Sequence, residues 1–324
     1  MREISFSEAT LEAMSEEMER DSSVFVLGED IARQGGIFGQ FKGLPQKFGT
    51  DRVLDTPISE TAIVGAAVGA ALAGMRPVAD MHFADFIGVC MDEVFNQMAK
   101  VRYMFGGQCK VSMVLRAPDG IIRSAAAQHS QSVEAWFMHI PGLKVVIPSN
   151  PADAKGLLKA AIRSDDPVLY FEHKVLFPMK GPVPDGDHIV PIGKANVSRK
   201  GKDVTIVSYS LMMHRALEAA EKLAAEGIEA EVIDLRTISP IDKDTIFESL
   251  RKTKRLVIVH EAVKQGGVGA EISALVAEEM IDWLDAPIRR IGAPFVPVPF
   301  SPPLEQLVKI SADHIAKTVK EICR

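Results

Sequence analysis

Two residues in this sequence have the chemistry and the surroundings to be candidates for proton transfer. Glu60 is the only charge between Asp55 and Arg76, and the stretch after it, TAIVGAAVGAALAG, is almost wholly small or apolar. A carboxylate there reads two ways. It can be a first-turn acid that satisfies free amides at a helix start, where the helix dipole favours it. It can also be held in a dry site against a group it must protonate or hydrogen-bond, because a buried acid without a partner is costly. The stretch alone does not choose between them. His129 lies in AAAQHSQS, a loop of small and polar residues after a strand, where a side chain can reach a cavity. An imidazole there suits proton transfer or the binding of an anionic intermediate; the plainer reading is a capping or surface histidine. Glu29 and Asp30 end an apolar strand just before Gly35 and Gly36, which marks either a site edge or a solvated turn.

Other chemistries find less support. The eight histidines show no H-x-x-x-H, so no zinc site is expected, and no metal ligands are assigned to this chain. There is no P-loop and no G-x-S-x-G elbow. QGGVGAE, residues 265–271, follows the strand LVIVH and opens a helix, as a dinucleotide turn would, but the third glycine of G-x-G-x-x-G is missing. Cys90, Cys109 and Cys323 are far apart, which suggests free thiols in a reducing compartment. The 37 basic and 43 acidic residues leave a net charge of −6 with no basic cluster, which argues against nucleic-acid binding. The first residues lack a signal pattern and the longest apolar run is too short for a bilayer, so a cytoplasmic protein with no membrane partner is expected.

The elements that must position these residues alternate. Ser5 and Glu8 have capping-box spacing ahead of a helix carrying Leu11, Met14 and Met18 on one face. Strands are expected at 24–27, 77–83, 111–116, 144–147 and 168–171, with helices over 61–73, 88–103, 133–139 and 152–163. Ser59 is a candidate N-cap for the helix that begins at Glu60, which reads as a buried core helix. Residues 174–193 are rich in proline and glycine and break the rhythm. A second series follows, with strands at 204–208, 231–235, 256–260 and 288–291, helices over 213–226, 243–251 and 270–284, and a last helix capped by Ser311. The expected fold class is α/β in two domains, each a mostly parallel sheet with helices on both faces. The first spans 1–180, a linker 181–195, and the second 196–324.

Several long motifs, in order, resemble one family. They are GEDIARQGGIFG at 28–39, DRVLDTPISETAIVGAAVGAALAGMRPV at 51–78, RYMFGGQ at 102–108, AAAQHSQSVEAW at 125–136, PGLKVVIPSNPADAKGLLKAAIRSDDPV at 141–168 and AEVIDLRTISPID at 230–242. They are similar to the beta subunit of the decarboxylating component of 2-oxo acid dehydrogenase complexes, which act on pyruvate, acetoin or branched-chain 2-oxo acids. The resemblance implies a transketolase-like pyrimidine-binding domain and a transketolase C-terminal domain, with thiamine diphosphate shared with an alpha subunit in an alpha2beta2 heterotetramer. It implies acyl transfer to the lipoyl group of a dihydrolipoyl acyltransferase core. Glu60 matches the glutamate that hydrogen-bonds the aminopyrimidine and drives the tautomer that deprotonates the thiazolium carbon. Phe86 matches the aromatic residue packed on the pyrimidine, and Ile58 and Glu29 line the same pocket. His129 matches the histidine that faces substrate and the incoming lipoyl group. Asp166 and the AAIR before it resemble a potassium-binding turn, with Ser164 where aspartate is usual. His82 stands where pyruvate-specific members often carry glutamine. No G-D-G motif is present, so Mg²⁺ and the diphosphate are expected to be held by the alpha subunit. Two alternatives stand beside this reading: a nucleotide-dependent oxidoreductase using the turn at 266–269, and a non-catalytic scaffold subunit.

Overall fold

The computed structural model describes residues 1–323 and divides into two compact units. The first comprises Met1–Asp119 and Trp136–Ile192; the second comprises Gly120–Ala135 and Gly193–Arg324, with Arg324 outside the described residues.

In the first unit, six strands lie in the order Lys144–Val146, Val168–His173, Val114–Asp119, Arg76–Asp80, Val24–Gly28 and Val53–Asp55, every pair parallel. Parallel strands need crossovers, which is why helices alternate with them. The helix Phe6–Arg20 starts on a full capping box: Ser5 N donates to Glu8 Oε2 (2.7 Å) and Glu8 N to Ser5 Oγ (3.2 Å). Its Met14 and Met18 enter a core with Val26, Val78, Val114, Leu157 and Tyr170. The helix Pro151–Arg163 is capped by Asn150, whose side chain accepts from Asp153 N at 2.9 Å.

Several elements differ from the sequence reading. The helix expected over 88–103 begins earlier, as a 3₁₀ segment Ala84–Cys90, passes through the π-wound Glu93–Met98 and ends as Ala99–Met104. The strand expected at 111–116 is Val114–Asp119, because Met113 N turns back to Val111 O (2.9 Å). Within the stretch read as linker, Lys180–Val183 is a strand antiparallel to Arg2–Ser5, with Arg2 opposite Val183. Two prolines sit in or beside that strand without cost to the pairing, as an edge tolerates them. Val190 belongs to the first unit's core, and its N–H donates to Gly156 O at 3.2 Å.

In the second unit the order is Arg289–Ala293, Leu256–Val263, Val204–Ser208, Ala230–Asp234 and Asn196–Arg199; only the last pairs antiparallel. Its core joins Ile206, Val232 and Val257 to Met213, Ala216 and Leu223 of the helix Leu211–Ala224 and to Ile315 and Val319 of the helix Ala312–Ile322. Ser311 caps that last helix by accepting from His314 N. A short helix, Pro302–Val308, has no counterpart in the sequence reading.

Candidate active site

Strands Val24–Gly28 and Arg76–Asp80 run side by side with Gly28 opposite Asp80. A Cβ on Gly28 would lie 2.9 Å from Asp80 O, so only glycine lets the two backbones come this close. Glu29 and His82 leave the same edge of the sheet just beyond. Gly28 O also accepts from Thr56 N (2.9 Å), which leads the chain across this edge toward Ile58 and Glu60.

Glu60 opens the helix Glu60–Leu72 and is half-buried. Ser59 occupies the N-cap position, but its side chain makes no capping bond, contrary to the sequence reading; its carbonyl accepts from Ile63 N at 3.0 Å. The helix is not wholly a core helix either. Ile63, Val64, Ala67, Val68 and Ala71 are buried, while Thr61, Ala62, Ala66, Gly69 and Leu72 are exposed on the other side. An almost uniformly apolar sequence carries no information about which face meets the core.

Glu29 is buried, and its carboxyl is raised above the usual range chiefly by burial. His82 pulls the other way, and the charges of Glu60 and Asp30 push the carboxyl further up. Glu29 and Glu60 therefore share one corner, with Ile58 beside it in the chain and 82% exposed. Phe86 is half-buried and packs edge-on against Phe83 (5.7 Å between centroids), which packs edge-on against Phe38 (6.1 Å). Glu29, Ile58, Glu60 and Phe86 thus all lie in the first unit. His82 and the Phe83–Phe38 contact carry no local sequence signal: His82 meets Glu29 across 53 positions, through strand adjacency alone.

Behind this edge lies a buried charge cluster. Arg116 donates through Nη2 to Glu172 Oε1 (2.8 Å) and Thr10 Oγ1 (2.9 Å), and all three residues are fully buried. Asp80 is also buried, with Gln40 beside its carboxyl. Two carboxyls with one guanidinium between them leave one acid neutral. Burial pushes Asp80 up to about 8, against the pull of Arg116, while Glu172 pushes it further up.

His129 lies in the second unit and is half-buried. Its loop is pinned by two carboxylates: Ile121 N donates to Glu261 Oε2 (3.0 Å) and Ser124 N to Glu305 Oε2 (2.9 Å). Tyr209 donates its hydroxyl to Glu134 Oε1 (2.7 Å) at the loop's far end. Ser124 and Ala126 hold φ of 58° and 57°, a left-handed strain that non-glycine residues keep only where the surroundings enforce it.

Two other expectations meet their surroundings here. At the turn 266–269, a Cβ on Gly267 would lie 2.5 Å from the His260 ring, and one on Gly269 3.1 Å from it. The glycines make room for this buried imidazole, which burial lowers to about 4. That packing accounts for them without a nucleotide. At the turn 162–166, Arg76 Nη1 binds the carbonyls of Ile162 and Ser164 (both 3.0 Å). Asp165 pairs with Arg76 and Lys110, and Asp166 with Arg102 and Lys144. Arg76 thus engages two carbonyls of this turn, and the two carboxylates are held by side-chain cations. Among the described residues no group of three or more histidine, cysteine, aspartate or glutamate side chains is placed to hold a metal, and no helix is long and apolar enough to cross a membrane.

Comparison with known proteins matches residues 2–180 to the transketolase pyrimidine-binding domain and residues 193–315 to the transketolase C-terminal domain. The chain is 53% identical over 330 residues to the beta subunit of acetoin:2,6-dichlorophenolindophenol oxidoreductase of Cupriavidus necator, covering 99% of this chain and 97% of that one. It is 47% identical to the beta subunit of 2-oxoisovalerate dehydrogenase of Bacillus subtilis, covering 99% of both. It is 46% identical to a mitochondrial pyruvate dehydrogenase E1 beta subunit of Oryza sativa, covering 99% of this chain and 87% of that one. Among solved structures it resembles a split-gene transketolase described as an inactive beta4 tetramer, with a TM-score of 0.81 and 26% identity over 99% of this chain and 98% of that one.

Proposed function

The chain belongs to the family of beta subunits of 2-oxo acid and acetoin dehydrogenases, built on transketolase pyrimidine-binding and C-terminal domains, and from that membership we propose a division of labour among its residues. The protein contributes the pyrimidine half of a thiamine-diphosphate site and works with an alpha subunit in an alpha2beta2 heterotetramer. The alpha subunit holds Mg²⁺ and the diphosphate. When bound, the cofactor supplies a carbanion that adds to a carbonyl and then stores the electron pair.

Glu60 would hydrogen-bond the aminopyrimidine ring and favour the tautomer in which the cofactor's own nitrogen can take a proton. The observation that carries this role is the corner itself: one carboxylate at the start of an otherwise apolar helix, within electrostatic reach of the buried Glu29. Phe86 offers a ring face for the pyrimidine, backed by Phe83. Ile58 and Glu29 line the pocket. His129, on a loop fixed by Glu261 and Glu305, faces substrate and receives the lipoyl group of an acyltransferase core. The substrate is acetoin or a 2-oxo acid, and the product acyl group passes to lipoamide.

Glu60→Gln keeps the shape of the side chain and removes its ability to hold a proton. The variant should assemble with its alpha partner and lose turnover on pyruvate, acetoin and branched 2-oxo acids by orders of magnitude. Near-wild-type turnover would end the assignment.

A further inference from the structure

His82 touches Glu29 twice. Nδ1 lies 3.2 Å from Glu29 Oε2, and Nε2 lies 3.0 Å from the backbone oxygen of Glu29. A carbonyl oxygen only accepts, so the Nε2 hydrogen points to it. Nδ1 then faces the carboxyl at ion-pair distance. Ring and carboxyl are both largely buried, with 16% and 9% of their side-chain surface exposed, so water does not loosen the grip. Of the charged groups near this carboxyl, Glu60 and Asp30 push it toward the acid form, while His82 opposes them. Asp80, one strand away, feels Glu29 in turn.

We propose that His82 is a positioning residue of this site: its two-point grip holds Glu29 as a hydrogen-bond acceptor beside Glu60, so that the pocket edge selects a ligand group that donates. The proposal rests on the reading of this corner as the pyrimidine pocket. An amino-substituted heterocycle or a water molecule satisfies such an edge; a ligand presenting a bare carbonyl does not. Glutamine at position 82 could still donate to the Glu29 carbonyl, but it cannot carry a positive charge to the carboxyl. Histidine therefore adds a charge match that the amide lacks.

The test follows the Glu29 carboxyl by ¹³C NMR through a pH titration of the full chain. In His82→Gln the carboxyl should bind its proton roughly tenfold more tightly, an upward shift of about one pH unit, because the opposing group is gone. In Glu60→Gln it should bind the proton more weakly. His82→Arg restores a cation with several donors and should return the titration to the wild-type position or below it. An unmoved Glu29 titration in His82→Gln overturns the grip. In the heterotetramer, the pH below which thiamine diphosphate binding weakens should rise with the Glu29 midpoint. A moved midpoint with unmoved cofactor binding overturns the role in the site. Full turnover in Glu60→Gln would instead remove the pocket reading on which the proposal stands, so the two failures are told apart.

Discussion

At the scale of single residues, the first unit concentrates its unusual electrostatics in one region. Asp80, Arg116 and Glu172 are all fully buried, and burial pushes Asp80 up to about 8. An acid whose folded value lies above its unfolded value binds its proton more tightly when folded. Its contribution to stability is therefore complete below the unfolded value near 4 and is lost as the pH rises toward about 8. Asp80→Asn removes the titrating group, so urea unfolding of the variant should lose less stability between these limits than wild type. Equal slopes of stability against pH in the two proteins would show that Asp80 does not carry the buried proton. None of this was legible in the sequence, where Asp80 is one acid within the strand expected at 77–83. Its meaning comes from Arg116 and Glu172 on two other strands. The place of Glu60 at a helix start was legible, because it stands alone at the head of an apolar run.

At the scale of elements, the alternation of strands and helices was readable because parallel strands buried on both faces are continuous apolar runs, and helices show their own period. The capping box at Ser5 and Glu8 placed the first helix to the residue. Misreadings fell where composition and geometry disagree. The proline-rich stretch hides the edge strand Lys180–Val183, and the uniformly apolar helix Glu60–Leu72 hides its exposed face. That face carries Gly69, where an added Cβ would meet nothing within 4 Å. Glycine costs a helix interior about 1 kcal/mol relative to alanine, and no contact within the chain explains that cost here. We expect Gly69→Leu to leave the chain as stable as wild type, or slightly more so, in thermal unfolding, and to weaken assembly with the alpha subunit in analytical ultracentrifugation. A variant that assembles as tightly as wild type would show that the face meets no partner closely.

At the scale of the whole molecule, each unit exposes more large apolar side chains than a solitary soluble chain needs. The first exposes Ile58, Val89, Phe95, Tyr103, Met104 and Phe105; the second exposes Phe295, Val296, Phe300, Leu304 and Leu307. Surfaces of this kind belong to obligate assemblies, whose interfaces resemble a core cut in two. The candidate cofactor residues of the first unit, Glu29, Ile58, Glu60 and Phe86, suit an aminopyrimidine and provide no cation for a diphosphate. Half a site binds weakly, because the charged half of the ligand gains no compensation for leaving water. The purified chain alone should therefore give no measurable heat when titrated with thiamine diphosphate and Mg²⁺. The same titration after adding the alpha subunit should show saturable binding, and turnover of acetoin or a 2-oxo acid should appear with it. Micromolar binding by the lone chain would show that the diphosphate is held by residues of this chain, and the division of the site between two subunits would be wrong.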